Sequence, residues 1–121
     1  MTHRSARQRI DDILGAIATI ADHRRRGEEL GLDAGDLLLL DAVVRELALI
    51  GEAAAHLPEA VTDRHPDIPW QGVRGMRLLL DHQYHRVDRD VVWRTVDQDL
   101  GPLERALRAE ARSKDLDDSP G

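Results

Sequence analysis

The chain has 121 residues, a net charge of −6, 41% hydrophobic residues and no cysteine. A chain of this size suggests one domain with a real core, and the apolar content argues for a folded chain rather than a disordered one. The missing cysteines exclude disulfides, thiolate metal sites and a cysteine nucleophile, and the acidic balance argues against a general nucleic-acid coat.

The first predicted helix runs from about Ser5 to Arg26. Ile10, Ile13, Leu14, Ile17 and Ile20 recur at three- and four-residue steps and form one apolar stripe. Arg24, Arg25 and Arg26 fall in its last turn, where cations meet the negative end of the helix dipole, and read as a solvated helix end. Gly27 or Gly31 stops the helix. The second helix starts after Asp33 or Asp36 and ends near His56. Leu37, Leu40, Val43, Val44, Leu47 and Ile50 or Ala54 make its broad apolar face, with Leu38, Leu39 and Leu49 apolar outside it. A helix apolar on more than one side suggests a partner surface. Glu52 and His56 are four apart and read as a helix-end pair.

Residues 57–70, LPEAVTDRHPDIPW, form a connection with a short helical turn at Pro58–Val61. A third helix is expected from about Gln71 to Tyr84, with Trp70 as its anchor and Val73, Met76, Leu79 and Leu80 inward. Asp88 caps a fourth, Asp88–Asp99, which Gly101-Pro102 interrupts or kinks. A fifth segment carries Leu103 and Leu107 to about Lys114. No strand-like alternation appears. The expected fold class is all-α, an up-and-down helical bundle of four to five helices. It occupies residues 1–114 as a single domain, with a disordered acidic tail at 115–121. The first residues carry acids early and no long apolar run, and no segment approaches a membrane span. A cytoplasmic protein is the expectation.

The stretch from Trp70 to Trp93 holds both tryptophans and the single tyrosine, and arginines outnumber acids between residues 70 and 94. Arginine offers a fixed fork of donors to phosphate oxygens, and histidine moves its proton near neutral pH. On an ideal helix Tyr84 falls about 20° from Arg77, Asp81 lies near the same face, and His82 falls about 140° away. Arg77 and His82 therefore meet only if the helix ends near Asp81 or His82, or if a second copy supplies the partner across a two-fold axis. An arginine and a histidine without a metal suit RNA cleavage by internal transesterification. Histidine takes the proton from the ribose 2′-OH, and arginine stabilises charge on the phosphoryl oxygens. A rival reading makes His82, His85, Asp81 and Asp88 metal ligands, although the bundle-type Glu-x-x-His pairs are missing. Neither a metal nor a cofactor is expected.

Arg77, His82 and Tyr84, with Trp70 before them and Val87-Asp88, Val92-Trp93, Val96 and Asp99-Leu100 after, resemble the HepT-like toxins of the HEPN superfamily. The upstream Ile50-Gly51-Glu52-Ala53-Ala54 is also similar. The resemblance implies a HEPN-type helical fold and a homodimer with two Arg/His motifs facing a cleft. It also implies a metal-independent endoribonuclease with RNA as substrate. The implied partner is a nucleotidyltransferase antitoxin of the MNT kind, which can AMPylate the motif tyrosine, here Tyr84. Arg77 and His82 are then the catalytic pair, with Asp81 and Glu52 supporting. The family often has Asn or Asp directly after the motif arginine, where this chain has Leu78. The alternative is a non-catalytic helical dimer that docks a nucleotidyltransferase.

Overall fold

In the computed structural model, residues 4–79, 88–113 and 116 are described. Helix α1 spans Ala6–Glu29. Ser5 opens it with a reciprocal cap: its Oγ accepts from Gln8 N–H at 3.1 Å, and its own N–H donates to Gln8 Oε1 at 2.8 Å. At the other end Gly31 adopts φ 72°, the left-handed conformation that costs glycine least. This reversal lets Leu32 N–H reach Gly27 C=O at 2.8 Å and Gly31 N–H reach Glu28 C=O at 3.1 Å, the paired bonds of a Schellman stop.

Helix α2, Leu37–Ala55, starts at Asp36, whose side chain accepts from Leu39 N–H at 3.0 Å. It forms the main helix pair with α1. Ile10, Ile13 and Ile20 from α1 and Val43, Val44, Leu47 and Ile50 from α2 are fully buried at their interface. Each such side chain contributes about 1.5–3 kcal/mol on burial. Two positions in α2 depart from the expected stripe. Leu37 is exposed, while Leu39 is buried over Gly27, where a Cβ would meet Leu39 Cδ2 at 2.9 Å. The cap at Asp36 sets the rotation of the helix, and the missing side chain at Gly27 makes room for Leu39. Leu38 and Leu49 remain exposed, as expected for apolar positions outside the core.

Two short helices follow, α3 at Glu59–Asp63 and α4 at Trp70–Gly75. The α-helix expected over Gln71–Tyr84 ends at Gly75, and Met76–Leu79 tighten into a 3₁₀ turn. Gly72 and Gly75 weaken α4, because glycine costs about 1 kcal/mol in a helix interior. Residues 80–84 of that expected helix lie outside the described residues.

Helix α5, Arg89–Arg94, is capped by Asp88, which accepts from Asp90 N–H at 2.9 Å. It runs through a π turn at Thr95–Asp99 into α6, Leu100–Arg112. The expected break at Gly101-Pro102 is therefore a widened turn one step earlier. Proline lacks an N–H and crowds the carbonyl four residues back, at Gln98, and a π turn relieves that clash without ending the helix. Leu100, Leu103 and Leu107 seat α6 against α1 and complete an all-α bundle. Among the described residues no helix is long and apolar enough to cross a membrane.

Candidate functional site

The site begins at Trp70, the first residue of α4, whose ring is buried. Its indole N–H donates to two carbonyls, Thr62 at 3.1 Å and His65 at 2.9 Å. The loop that supplies them is tied to α6. Glu110 is 3% exposed and accepts Arg64 Nε at 2.7 Å and Nη2 at 2.8 Å. His65 Nε2 stands 3.0 Å from Glu110 Oε1. The Arg64 hydrogen bonds hold the Glu110 carboxyl below the usual glutamate range against the opposing effect of burial, and His65 adds to the shift. A buried carboxylate thus fixes the loop, the loop fixes Trp70, and Trp70 fixes the start of α4.

Arg77 sits on the 3₁₀ turn that follows α4. Val73 and Met76 point into the core, whereas the Arg77 side chain is exposed. Among the described residues no carboxylate pairs with it. Leu78 beside it is 50% exposed. A cleft of about 210 Å³ flanks the turn, with Pro69, Gly72, Met76 and Leu79 on one side and Thr95 and Asp99 of the π turn on the other.

Of the expected site residues, only Arg77 and Glu52 are among those described. Glu52 is exposed near the end of α2, with its carboxylate 3.5 Å from His56 Nδ1. His56 Nδ1 also lies 2.9 Å from the Glu52 carbonyl oxygen, which makes this a local helix-end pair, as the sequence suggested. Asp81, His82 and Tyr84 lie outside the described residues, as does His85 of the rival metal set. Among the described residues no group of three or more His, Asp or Glu is placed to hold a metal.

The arginine run at the end of α1 differs from its expected reading in one member. Arg25 and Arg26 stay on their own helix with Asp22. Arg24 crosses to the π turn, where Nη1 meets Asp97 Oδ1 at 2.5 Å, and its guanidinium lies 4.7 Å from the centre of the Trp93 ring. The hydrogen bond from Arg24 holds the Asp97 carboxyl below its ordinary range. Trp93 Nε1–H donates to Ala34 C=O at 2.8 Å and closes the loop between α1 and α2. A groove of about 400 Å³ between α1 and the π turn is walled on one side by this Arg24–Asp97 tie.

Fold and site together define a class: an all-α bundle that exposes an arginine on a turn anchored in its core. The ribonuclease HepT-like family matches residues 13–110, and the chain belongs to that family. Probable ribonuclease HepT of Thermococcus cleftensis is 36% identical over 103 residues, covering 84% of this chain and 91% of that protein. A protein of Caldanaerobacter subterraneus subsp. tengcongensis named as an RNase is 36% identical over 73 residues, 60% of this chain and 65% of the relative. An RNase-named protein of Methanocaldococcus jannaschii is 36% identical over 77 residues, 64% of this chain. The chain spans 65% of that relative's length, slightly under two thirds, as it does of the Caldanaerobacter protein. No solved structure gives a significant match.

Proposed function

We propose that this chain is a metal-independent endoribonuclease in which Arg77 and His82 act on the RNA backbone. His82 takes the proton from a ribose 2′-OH, and the 2′ oxygen attacks the adjacent phosphorus. The new 2′-O–P bond forms as the P–O5′ bond breaks. The leaving 5′ oxygen takes a proton, and the products end in a 2′,3′-cyclic phosphate and a 5′-OH. Arg77 donates to the non-bridging oxygens as charge builds on them. RNA supplies the nucleophile, so the protein needs only a base, an acid and a cation. The observation that carries this reading is Arg77, exposed and with no carboxylate partner among the described residues, on an anchored turn in a ribonuclease HepT-like chain.

The finer reading makes the chain the toxin of a two-gene pair. A homodimer brings two Arg77/His82 motifs to one cleft, within a single helical unit over residues 1–114 followed by an acidic tail. A nucleotidyltransferase antitoxin neutralises it by placing AMP on Tyr84, where added negative charge repels RNA. The exposed Leu78 favours a second reading, a non-catalytic dimer that docks the transferase, because an apolar side chain beside Arg77 gives phosphate nothing to bind.

The test uses purified chain free of its partner, end-labelled RNA and excess chelator. The expected products are fragments ending in cyclic phosphate, reduced by about 10²–10⁴-fold in His82→Ala. Full cleavage by His82→Ala would sink the mechanism, and no cleavage by the wild-type chain would favour the docking dimer. Co-expression with the transferase, followed by intact-mass measurement, should show AMP additions that Tyr84→Phe removes.

A further inference from the structure

Helix α2 meets the turn that carries Arg77 backbone to backbone. A Cβ built on Gly51 would stand 2.3 Å from Arg77 N, 2.9 Å from Met76 C and 3.1 Å from Arg74 O. Real Cβ atoms do not approach other atoms so closely, and all three obstacles are main-chain atoms. No side-chain rotation relieves the clash, so the whole turn has to move. This contact differs from those of the other helical glycines. Gly15, Gly72 and Gly75 have no described atom within 4 Å, Gly27 faces the movable end of Leu39, and Gly101 meets only the end of the Arg105 side chain at 3.4 Å.

Neither element has room to retreat. On α2, Ile50 and Ala54 beside Gly51 are fully buried, and Leu47 one turn earlier is buried as well. On the other side Trp70, Val73 and Met76 are buried, and Trp70 is held by its two hydrogen bonds. Two elements fixed in one core meet at a residue without a side chain, and the next side chain on the turn to reach solvent is Arg77. The backbone nitrogen of Arg77 is the atom nearest the missing Cβ.

We propose that Gly51 is a positioning residue for Arg77: its missing side chain sets the place on the bundle surface from which the guanidinium reaches the phosphate. This rests on the reading of Arg77 as the phosphate-binding cation. A methyl group at position 51 displaces the turn, and a displacement near 1 Å at a reacting group costs about 10²-fold in rate.

The experiment compares kcat and KM for RNA cleavage in the wild-type chain, Gly51→Ala, Arg77→Ala and the double variant, with thermal unfolding of each. Gly15→Ala, a glycine on α1 with no described atom within 4 Å and away from the Arg77 turn, serves as the control and should cleave normally. The expected result for Gly51→Ala is a folded protein with kcat lowered about 10–100-fold and KM much less changed. Adding Gly51→Ala to Arg77→Ala should cost nothing further, because the glycine acts through the arginine. Wild-type kcat in Gly51→Ala, with Arg77→Ala inactive, overturns the proposal. So does a further loss in the double variant, since Gly51 then acts elsewhere. Failure of Gly51→Ala to fold overturns it too, because the glycine then serves the fold as a whole. Normal cleavage by Arg77→Ala removes the underlying reading instead and is recognised by that variant alone.

Discussion

Arg64 and Arg77 flank Trp70, and the fold uses them in opposite ways. Arg64 sends two N–H donors to a carboxylate that is 3% exposed, and His65 stands by the same oxygen. Arg77 leaves its turn for solvent with no described carboxylate to receive it. The first arginine's charge is taken up by the fold, and under the proposed function the second's meets the phosphate. What they share is the anchor between them, since Trp70 is held by the loop that Arg64 secures and starts the helix that leads to Arg77. Among the described residues the two arginines thus differ in whether a buried carboxylate meets them.

Exchanging the two losses is the sharpest test of this contrast. Arg77→Ala should lower RNA cleavage about 10²–10³-fold, while its unfolding free energy changes by no more than about 0.5 kcal/mol. Arg64→Ala should do the reverse, leaving Glu110 buried with only His65 and costing about 3 kcal/mol in denaturant unfolding. A large stability loss in Arg77→Ala would break the comparison.

Acid should weaken the Arg64 tie through Glu110. Because the folded Glu110 carboxyl titrates below its unfolded value, its contribution is fully present above the ordinary glutamate pKa, near 4.3. It is lost as pH falls through the lower folded value. Unfolding free energy measured from neutral to acid pH should therefore drop on the acid side of that window. Glu110→Gln should flatten this limb.

The smallest effect is expected at Arg24, the intermediate case, whose carboxylate partner is itself exposed. Asp97→Asn should cost about 0.5 kcal/mol, and the difference from wild type should shrink in salt. A cost comparable to that of Arg64→Ala would show that exposure does not separate the two ties.

Much of the scaffold was legible. The isoleucines of α1, the caps at Asp36 and Asp88 and the stop at Gly31 are local matters of spacing and backbone chemistry. Glu110 was legible too, although the sequence reading missed it. It continues the inward series of Leu100, Leu103 and Leu107, and an acid on that stripe requires a cationic partner. Its partners, Arg64 and His65, lie in a proline-rich connection whose path no periodicity describes. Arg24 was taken for a solvated end because nothing local points to Trp93 and Asp97 across the bundle.

The sequence alone determined the all-α class and most helix boundaries, because these rest on spacing along one chain and on residue chemistry. It did not determine that α4 ends at Gly75, that a π turn absorbs Pro102, or that Leu39 rather than Leu37 enters the core. Those outcomes depend on what a neighbouring helix leaves room for. The closest of these fits is at Gly51, where a residue with no side chain lets two backbones meet under Arg77.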